Sequence, residues 1–420
     1  MWFNQVASCF SALCANAFKL TTMSKVVGVV KTICDPKHNS RNIVFQQQYY
    51  FSTMPTVKKD TATFTQTGHG VYILTTKNIY YNLALEDWLY KNGNFDNGEL
   101  LLLWRNQPCI VIGRHQNVWA ECNILDALRQ GVDIARRRSG GGTVYHDLGN
   151  LNCTFFTSRK RYNRKHNLEV IAQALRDKWK LNLSVSKRDD MLLDDNFKIS
   201  GTAAKLGQNT AYHHCTLLFD VHVDQLCTLL HSPMKGLESR ATESTRSFVK
   251  NLCEVNNTIN YTSLVDCVIS EYFLAHHKHE VTYVDPTLEE QFPGIGKLQD
   301  DLRCWDWIYG HSPAFSLRYS ANGSLGGITS HLMMHITVEK GHIENIDMEL
   351  AGCDDSYKEL LAEVCETLIG CRFWPMHITI ALISMQLHLN SPELWALINK
   401  CFSGFLEPNC HIEQNIKETM

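Results

Sequence analysis

Arg136-Arg137-Arg138-Ser139-Gly140-Gly141-Gly142-Thr143-Val144-Tyr145-His146-Asp147 sets three consecutive glycines between two strand-like segments, 132–135 and 143–146. Backbone without side chains lets a ligand lie flat against the main chain and meet its N–H groups. The neighbouring arginines suit an anion, because a guanidinium offers a two-pronged fork to phosphate or carboxylate. No Gly-Lys-Ser/Thr follows the glycines, so this is not a Walker loop, and it is not a dinucleotide fingerprint either.

Upstream, Asn78 is positioned to cap a helix whose Tyr81, Leu85, Trp88 and Leu89 share one face. Apolar runs at 100–104 and 109–112, parted by Asn106-Gln107-Pro108, read as buried strands around a turn. A helix is expected over 120–130, ended by Gly131. Downstream come a strand at 151–157 and a helix at 167–179, then a hairpin of 191–193 and 197–199 turned by Asp194-Asp195-Asn196. A strand at 213–219 and a helix at 261–275 follow. Strands with helices laid against them, without regular β-α-β alternation, predict an α+β fold. The stretch 286–297, with two prolines and two glycines, is the expected boundary. Beyond it, a hairpin (332–338 and 343–348) and helices at 356–369 and 392–402 form a small C-terminal α+β domain.

The chain has 420 residues, 44% of them hydrophobic and 20% charged, with a formal net charge of -3, which argues against nucleic acid or an anionic membrane as partner. No apolar run is long enough to span a bilayer. The 16 cysteines include no Cys-x-x-Cys pair and no zinc-finger spacing, so they read as reduced core residues, and no metal site is expected. No acidic residue precedes Asp35, while Lys19, Lys25 and Lys31 are basic and Ser and Thr recur. Such a segment has the composition of a mitochondrial transit peptide, which predicts a matrix location.

A second segment, Phe197-Lys198-Ile199-Ser200-Gly201-Thr202-Ala203, ends a short strand in a lysine followed by small residues. That lysine can enter a pocket and hold a phosphate oxygen together with an acyl carbonyl oxygen, where a fixed cation lowers the barrier to acyl transfer. Together with Tyr212-His213-His214-Cys215-Thr216, the two segments stand in the order and spacing of lipoate–protein ligases. The segments 80–88, 110–122 and 242–252, and Trp305-Asp306-Trp307, look like the same family. From about Val71 to the low 400s, the chain resembles the mitochondrial lipoyltransferases of the lipoate–protein ligase A family.

The resemblance implies a biotin/lipoate protein ligase-like catalytic domain (66–290) and an accessory domain (291–420), after a transit peptide or extension (1–65). It implies lipoyl-AMP as bound donor, with ATP and Mg only if the activation step is retained. The implied partners are lipoyl domains of 2-oxoacid dehydrogenase E2 subunits and the glycine cleavage H protein, with a monomer as the default state. By the same resemblance Lys198 is the catalytic lysine, and Arg137, Ser139, Gly140, Gly141 and Gly142 surround the acyl chain and phosphate. Tyr145, Arg188, Ser200, Gly201, Thr202, Thr216, Thr245 and Ser247 are expected at the adenylate, and His146 and Asp190 either order the pocket or deprotonate the incoming amine.

One departure bears on activation. Asp189 stands where bacterial ligases of this family tend to carry Asn. Its charge opposes ATP and pyrophosphate unless a metal or Arg188 offsets it, which favours a transferase over a complete ATP-dependent ligase. An octanoyltransferase and a silent lipoyl-domain-binding protein are the remaining alternatives; the intact Lys198 and glycine run argue against the second. Cys153 and Cys215 are weighed as acyl-thioester nucleophiles and set below Lys198 catalysis.

Overall fold

The computed structural model describes residues 70–276, 280–352, 356–386 and 391–406; the stretch read as a targeting segment lies outside them. The chain runs β1 (Gly70–Leu74), α1 (Ile79–Asn92), β2 (Leu100–Trp104), β3 (Cys109–Ile112), α2 (Val118–Glu121), α3 (Ile124–Arg129), β4 (Asp133–Arg136) and β5 (Val144–His146). It continues through β6 (Asn150–Ser158), α4 (Arg164–Trp179), β7 (Leu183–Val185), β8 (Met191–Leu193), β9 (Phe197–Ser200), β10 (Thr202–Leu206) and β11 (Thr210–Leu218). Next are α5 (Val223–Leu229), β12 (Leu237–Ser239), α6 (Tyr261–His276), β13 (Val281–Val284) and α7 (Ile295–Arg303). The remainder is β14 (Phe315–Leu325), β15 (Ile328–Glu339), β16 (His342–Ala351), α8 (Ser356–Leu368), α9 (Pro375–Gln386) and α10 (Pro392–Leu406).

Six strands form one mixed sheet in the order β10-β11-β6-β2-β1-β13, parallel only across β2-β1-β13. Both of its faces are covered, and the two-residue period of each strand divides its side chains between two cores. On β6 and β11, Leu151, Cys153, Phe155, Cys215 and Leu217 face the core built with α4 and α6. Phe156 and Tyr212 face the opposite core, which α1 helps to fill.

The small sheet β4-β3-β5 sets the glycine loop. β4 runs parallel and β5 antiparallel to β3, so the loop joining them must cross the end of β3. There the backbones meet: a Cβ on Gly113 would lie 2.0 Å from Gly141 O. Gly141 itself has φ 85°, the left-handed region that favours glycine.

The sheet β7-β8-β9 presents Lys198. Its hairpin turns through Asp194 and Asp195, both left-handed at φ 52° and 56°, a conformation Asp tolerates better than most residues.

The fourth sheet, β12-β14-β15-β16, borrows its edge strand β12 from mid-chain and packs against α8 and α10. It is joined to the core through Arg136, which is fully buried. The Arg136 guanidinium donates to Ile308 O at 2.7 Å, Gln116 O at 2.7 Å, Gly113 O at 3.0 Å and Ser312 Oγ at 2.9 Å. Trp307 Nε1 returns a bond to Arg136 O at 2.7 Å, and Arg138 stacks over the Trp307 ring at 3.7 Å. The α7 side is tied through Trp88 Nε1, which donates to Pro293 O at 2.9 Å.

One expectation needs correction, and one helix has no counterpart in the sequence reading. The helix expected over 120–130 is two short ones, because Asn123 turns its side chain onto Asp126 N at 3.2 Å and starts a new helix instead of continuing the old. α9 is absent from the sequence reading: its apolar residues lie all round the helix and give no one-sided period.

Candidate active site

A groove with two lobes opens beside the glycine loop, β9 and β11, under the irregular segment 242–249. One lobe, about 300 Å³, is walled by Leu83, Trp104 and Val111. The other, about 490 Å³, has Leu218, Leu226, Leu230 and Ser247 in its wall. Lys198, Gly201 and Thr216 line both lobes, so the lysine stands at their junction.

Segment 248–250 holds the Lys198 backbone of β9: Lys198 N donates to Phe248 O at 2.8 Å, and Lys250 N to Lys198 O at 3.3 Å. Its ammonium reaches Asp190 Oδ1 at 2.8 Å after crossing Gly201. Gly201 N donates to Thr216 Oγ1 at 3.0 Å, and Thr202 Oγ1 to Asp189 O at 3.2 Å. Asp189 is ion-paired with Arg164, at the start of α4. Arg188 is exposed at the rim.

The glycine loop is clasped from inside. Arg137 donates to Val111 O at 2.9 Å, to Gly140 O and Gly142 O at 2.7 Å each, and through Nε to Ser139 Oγ at 3.1 Å. Burial pushes its pKa down to about 10, still far above neutrality. The forks expected to be free for an anion on Arg136 and Arg137 are therefore engaged with backbone carbonyls. Across the groove, Ser244 pins the 242–249 segment to the loop: its Oγ accepts from Thr143 N at 2.8 Å and from Gln116 Nε2 at 3.0 Å, and donates to the Glu121 carboxylate.

The apolar lobe carries a buried polar network. Ser139 Oγ meets His214 Nε2 at 2.9 Å, and His214 Nδ1 meets Glu86 Oε1 at 2.8 Å. Trp104 Nε1 donates to Thr154 Oγ1 at 3.0 Å, which donates to Glu86 Oε1 at 2.9 Å. His146 stands beside them, its Nδ1 3.0 Å from Asn106 Nδ2. Burial, then Arg137 and His214, push the His146 pKa down to about 3. The ring is neutral at physiological pH, with Nδ1 facing the Asn106 amide.

Residues 78–273 match the lipoyl protein ligase A/B catalytic domain. The mitochondrial lipoyl amidotransferase of Homo sapiens is 40% identical over 343 residues, covering 80% of this chain and 91% of the human protein. The chain belongs to the lipoyl protein ligase A/B family. Lipoate-protein ligase A of Bdellovibrio bacteriovorus is 31% identical over 341 residues, 78% of this chain and 98% of that one. A crystal structure of P. falciparum LipL1 in complex with lipoate superposes with a TM-score of 0.51 at 27% identity, covering 81% of this chain and 99% of that one.

In this family member the groove gathers most of the residues singled out from sequence. Arg137, Gly141, Gly142, His146, Arg188, Asp190 and Thr202 line the apolar lobe, Tyr145 and Ser247 the other, and Lys198, Gly201, Thr216 and Thr245 both. Neither lining includes Ser139, Gly140 or Ser200. Ser139 is buried behind His214, the Gly140 carbonyl is held by Arg137, and Ser200 Oγ is buried without a partner. Glu86, Trp104, Asn106 and Ser244 have no site role in the sequence reading, though Glu86 and Ser244 fall within segments flagged as family-like and Asn106 within a predicted turn. Cys153 and Cys215 pair across β6 and β11 on the helix side of the sheet, both buried, and burial pushes the Cys153 thiol far up. His213, on that same side, is buried with both ring nitrogens unpartnered.

Proposed function

We propose that this protein transfers a lipoyl group to the ε-amine of a specific lysine on lipoyl domains of 2-oxoacid dehydrogenase E2 subunits, in mitochondria. The donor is lipoyl-AMP or lipoylated glycine cleavage H protein. One observation carries the reading: Lys198, paired with Asp190, stands where an apolar lobe meets a wider one. The acyl chain takes the lobe of Leu83, Trp104 and Val111, and the nucleotide the lobe of Tyr145, Thr245 and Ser247. The names of the human relative and of a Mus musculus protein, 39% identical over 318 residues, support both activity and location.

In the transfer step the acceptor amine attacks the acyl carbonyl, a C–N bond forms, and the acyl–phosphate bond breaks to release AMP. Charge grows first on the carbonyl oxygen and then on the phosphate. The Lys198 ammonium stabilises both, and the groove holds the reactants together. Asp190 is the carboxylate at hand for the amine's proton. The division into catalytic (66–290) and accessory (291–420) domains belongs to the same proposal.

A second reading, a complete ATP-dependent ligase, gains from the Arg164 pair, because Asp189 does not confront a polyphosphate with an uncompensated charge. Only this reading involves ATP and magnesium; Asp189 and Asp190 would offer the oxygen donors such a cation takes. Intact mass of an apo lipoyl domain separates the cases after incubation with lipoyl-AMP, with lipoate plus ATP and magnesium, or with lipoylated H protein. Mass gain only from a preformed donor supports the transferase, gain with ATP the ligase, and no gain from any donor refutes both.

A further inference from the structure

His146 is 3% exposed, lines the apolar lobe, and its Nε2 has no hydrogen-bond partner. What that nitrogen offers is decided two residues away. Asn82 Nδ2 lies 3.3 Å from Arg105 O and 3.4 Å from Thr76 O, backbone carbonyls that only accept. Those carbonyls orient the Asn82 amide, so its Nδ2 also donates to Asn106 Oδ1 at 2.8 Å. With its oxygen thus engaged, Asn106 turns Nδ2 toward His146, and His146 Nδ1 must accept. The imidazole proton therefore sits on Nε2. A buried donor without an acceptor is costly, and a ligand that supplies the acceptor recovers that cost. The ring meets Trp104 edge to face at 6.1 Å and lines the lobe of Leu83, Trp104 and Val111 but not the second lobe, whereas Lys198 lines both.

We propose that His146 is a specificity-determining residue whose Nε2–H selects acyl chains carrying an acceptor heteroatom at the distal end over plain alkyl chains of equal length. In a lipoyl group that heteroatom is a dithiolane sulfur, a weak acceptor but one an octanoyl chain lacks altogether. Asn82 and Asn106 are positioning residues that act through the His146 tautomer. This inference rests on the acyl-transfer reading above.

The test is a competition. The full chain receives equal lipoyl-AMP and octanoyl-AMP with an apo lipoyl domain, and intact mass gives the product ratio. Wild type favours lipoyl, and His146→Phe lowers the lipoyl-to-octanoyl ratio about tenfold. In Asn106→Asp the carboxylate accepts a hydrogen bond from Nδ1–H, which leaves Nε2 of the neutral ring without its hydrogen and lowers the ratio in the same direction. If His146→Phe does not fold, 15N-histidine NMR of the wild type carries the test, since Nε2 and Nδ1 protonation give distinct shifts. An unchanged ratio in folded His146→Phe, or protonated Nδ1 in the wild type, overturns the proposal. A wild type that transfers neither acyl group instead overturns the reading on which it rests.

Discussion

Lys198 Nζ lies 2.8 Å from Asp190 Oδ1, and both side chains retain about one fifth of their exposure (22% and 21%). The pair is thus reachable by a ligand yet held in one geometry. Asp190 itself is fixed from behind, its backbone N donating to Ser186 Oγ at 3.2 Å and its carbonyl accepting from Ser186 N at 2.9 Å. A lysine aimed in this way requires no rearrangement when charge develops beside it.

Replacing Lys198 by Ala is expected to lower the single-turnover transfer rate from lipoyl-AMP by about 10²–10³-fold, the magnitude typical of losing one preorganised donor. The melting temperature should move little, since the ammonium is part-exposed. Near-normal transfer in this variant would remove Lys198 from the centre of the mechanism.

Arg164, not Arg188, neutralises Asp189. Arg164→Ala is therefore expected to weaken lipoyl-AMP binding about 3–10-fold, by leaving an unpaired carboxylate near the proposed phosphate site. Asp189→Asn, which removes the charge with its partner's purpose, should change affinity less. Titration calorimetry of both variants decides the matter; equal effects, or a larger one from Asp189→Asn, would contradict this account.

Arg136 holds the end of β4 to the segment 307–312 through the carbonyls of Trp307 and Ile308 and the hydroxyl of Ser312. Arg136→Leu strands several of them in a buried site. A loss of at least about 3 kcal/mol is expected in urea unfolding. Arg136→Lys should recover little, because an ammonium cannot reproduce the planar fork.

His146 and His213 both have their pKa pushed down to about 3, mainly by burial, from an ordinary value of 6.5. In the unfolded chain they bind protons as pH falls through 6.5; in the folded protein they do not until about 3. Over that window the unfolded state holds more protons, so stability, complete above the unfolded value, declines with acidification. The slope is at most about 1.4 kcal/mol per pH unit for each histidine. Urea midpoints at pH 7.5 and 5.5 should show the decline, and His213→Leu should flatten it; an identical pH dependence in that variant would assign the effect elsewhere.

Local pattern made much of this protein legible. The Asn78 cap is real, with Oδ1 accepting from Tyr80 N at 3.0 Å, and the hairpin around Asp194 and Asp195 forms where its turn residues stand. The glycine run and the Lys198 segment meet in one groove as their chemistry required. These features depend on neighbours in the chain, through capping, turn dihedrals and alternation, so the order of residues suffices to specify them.

Only the tertiary structure decided how the donors are spent. Arg136 and Arg137 read as anion forks, but β3, the loop after it and the 307–312 segment bring carbonyls to them from 20 to 172 residues away, beside the local Gly140 and Gly142 carbonyls that Arg137 also holds. Ser139 joins His214 and Glu86 across three separate elements, and the His146 proton is fixed by an amide relay beginning at Asn82. Sequence states which groups can donate or accept. Which partner each one finds depends on long-range packing, because a buried polar group bonds whatever the fold sets within about 3 Å of it.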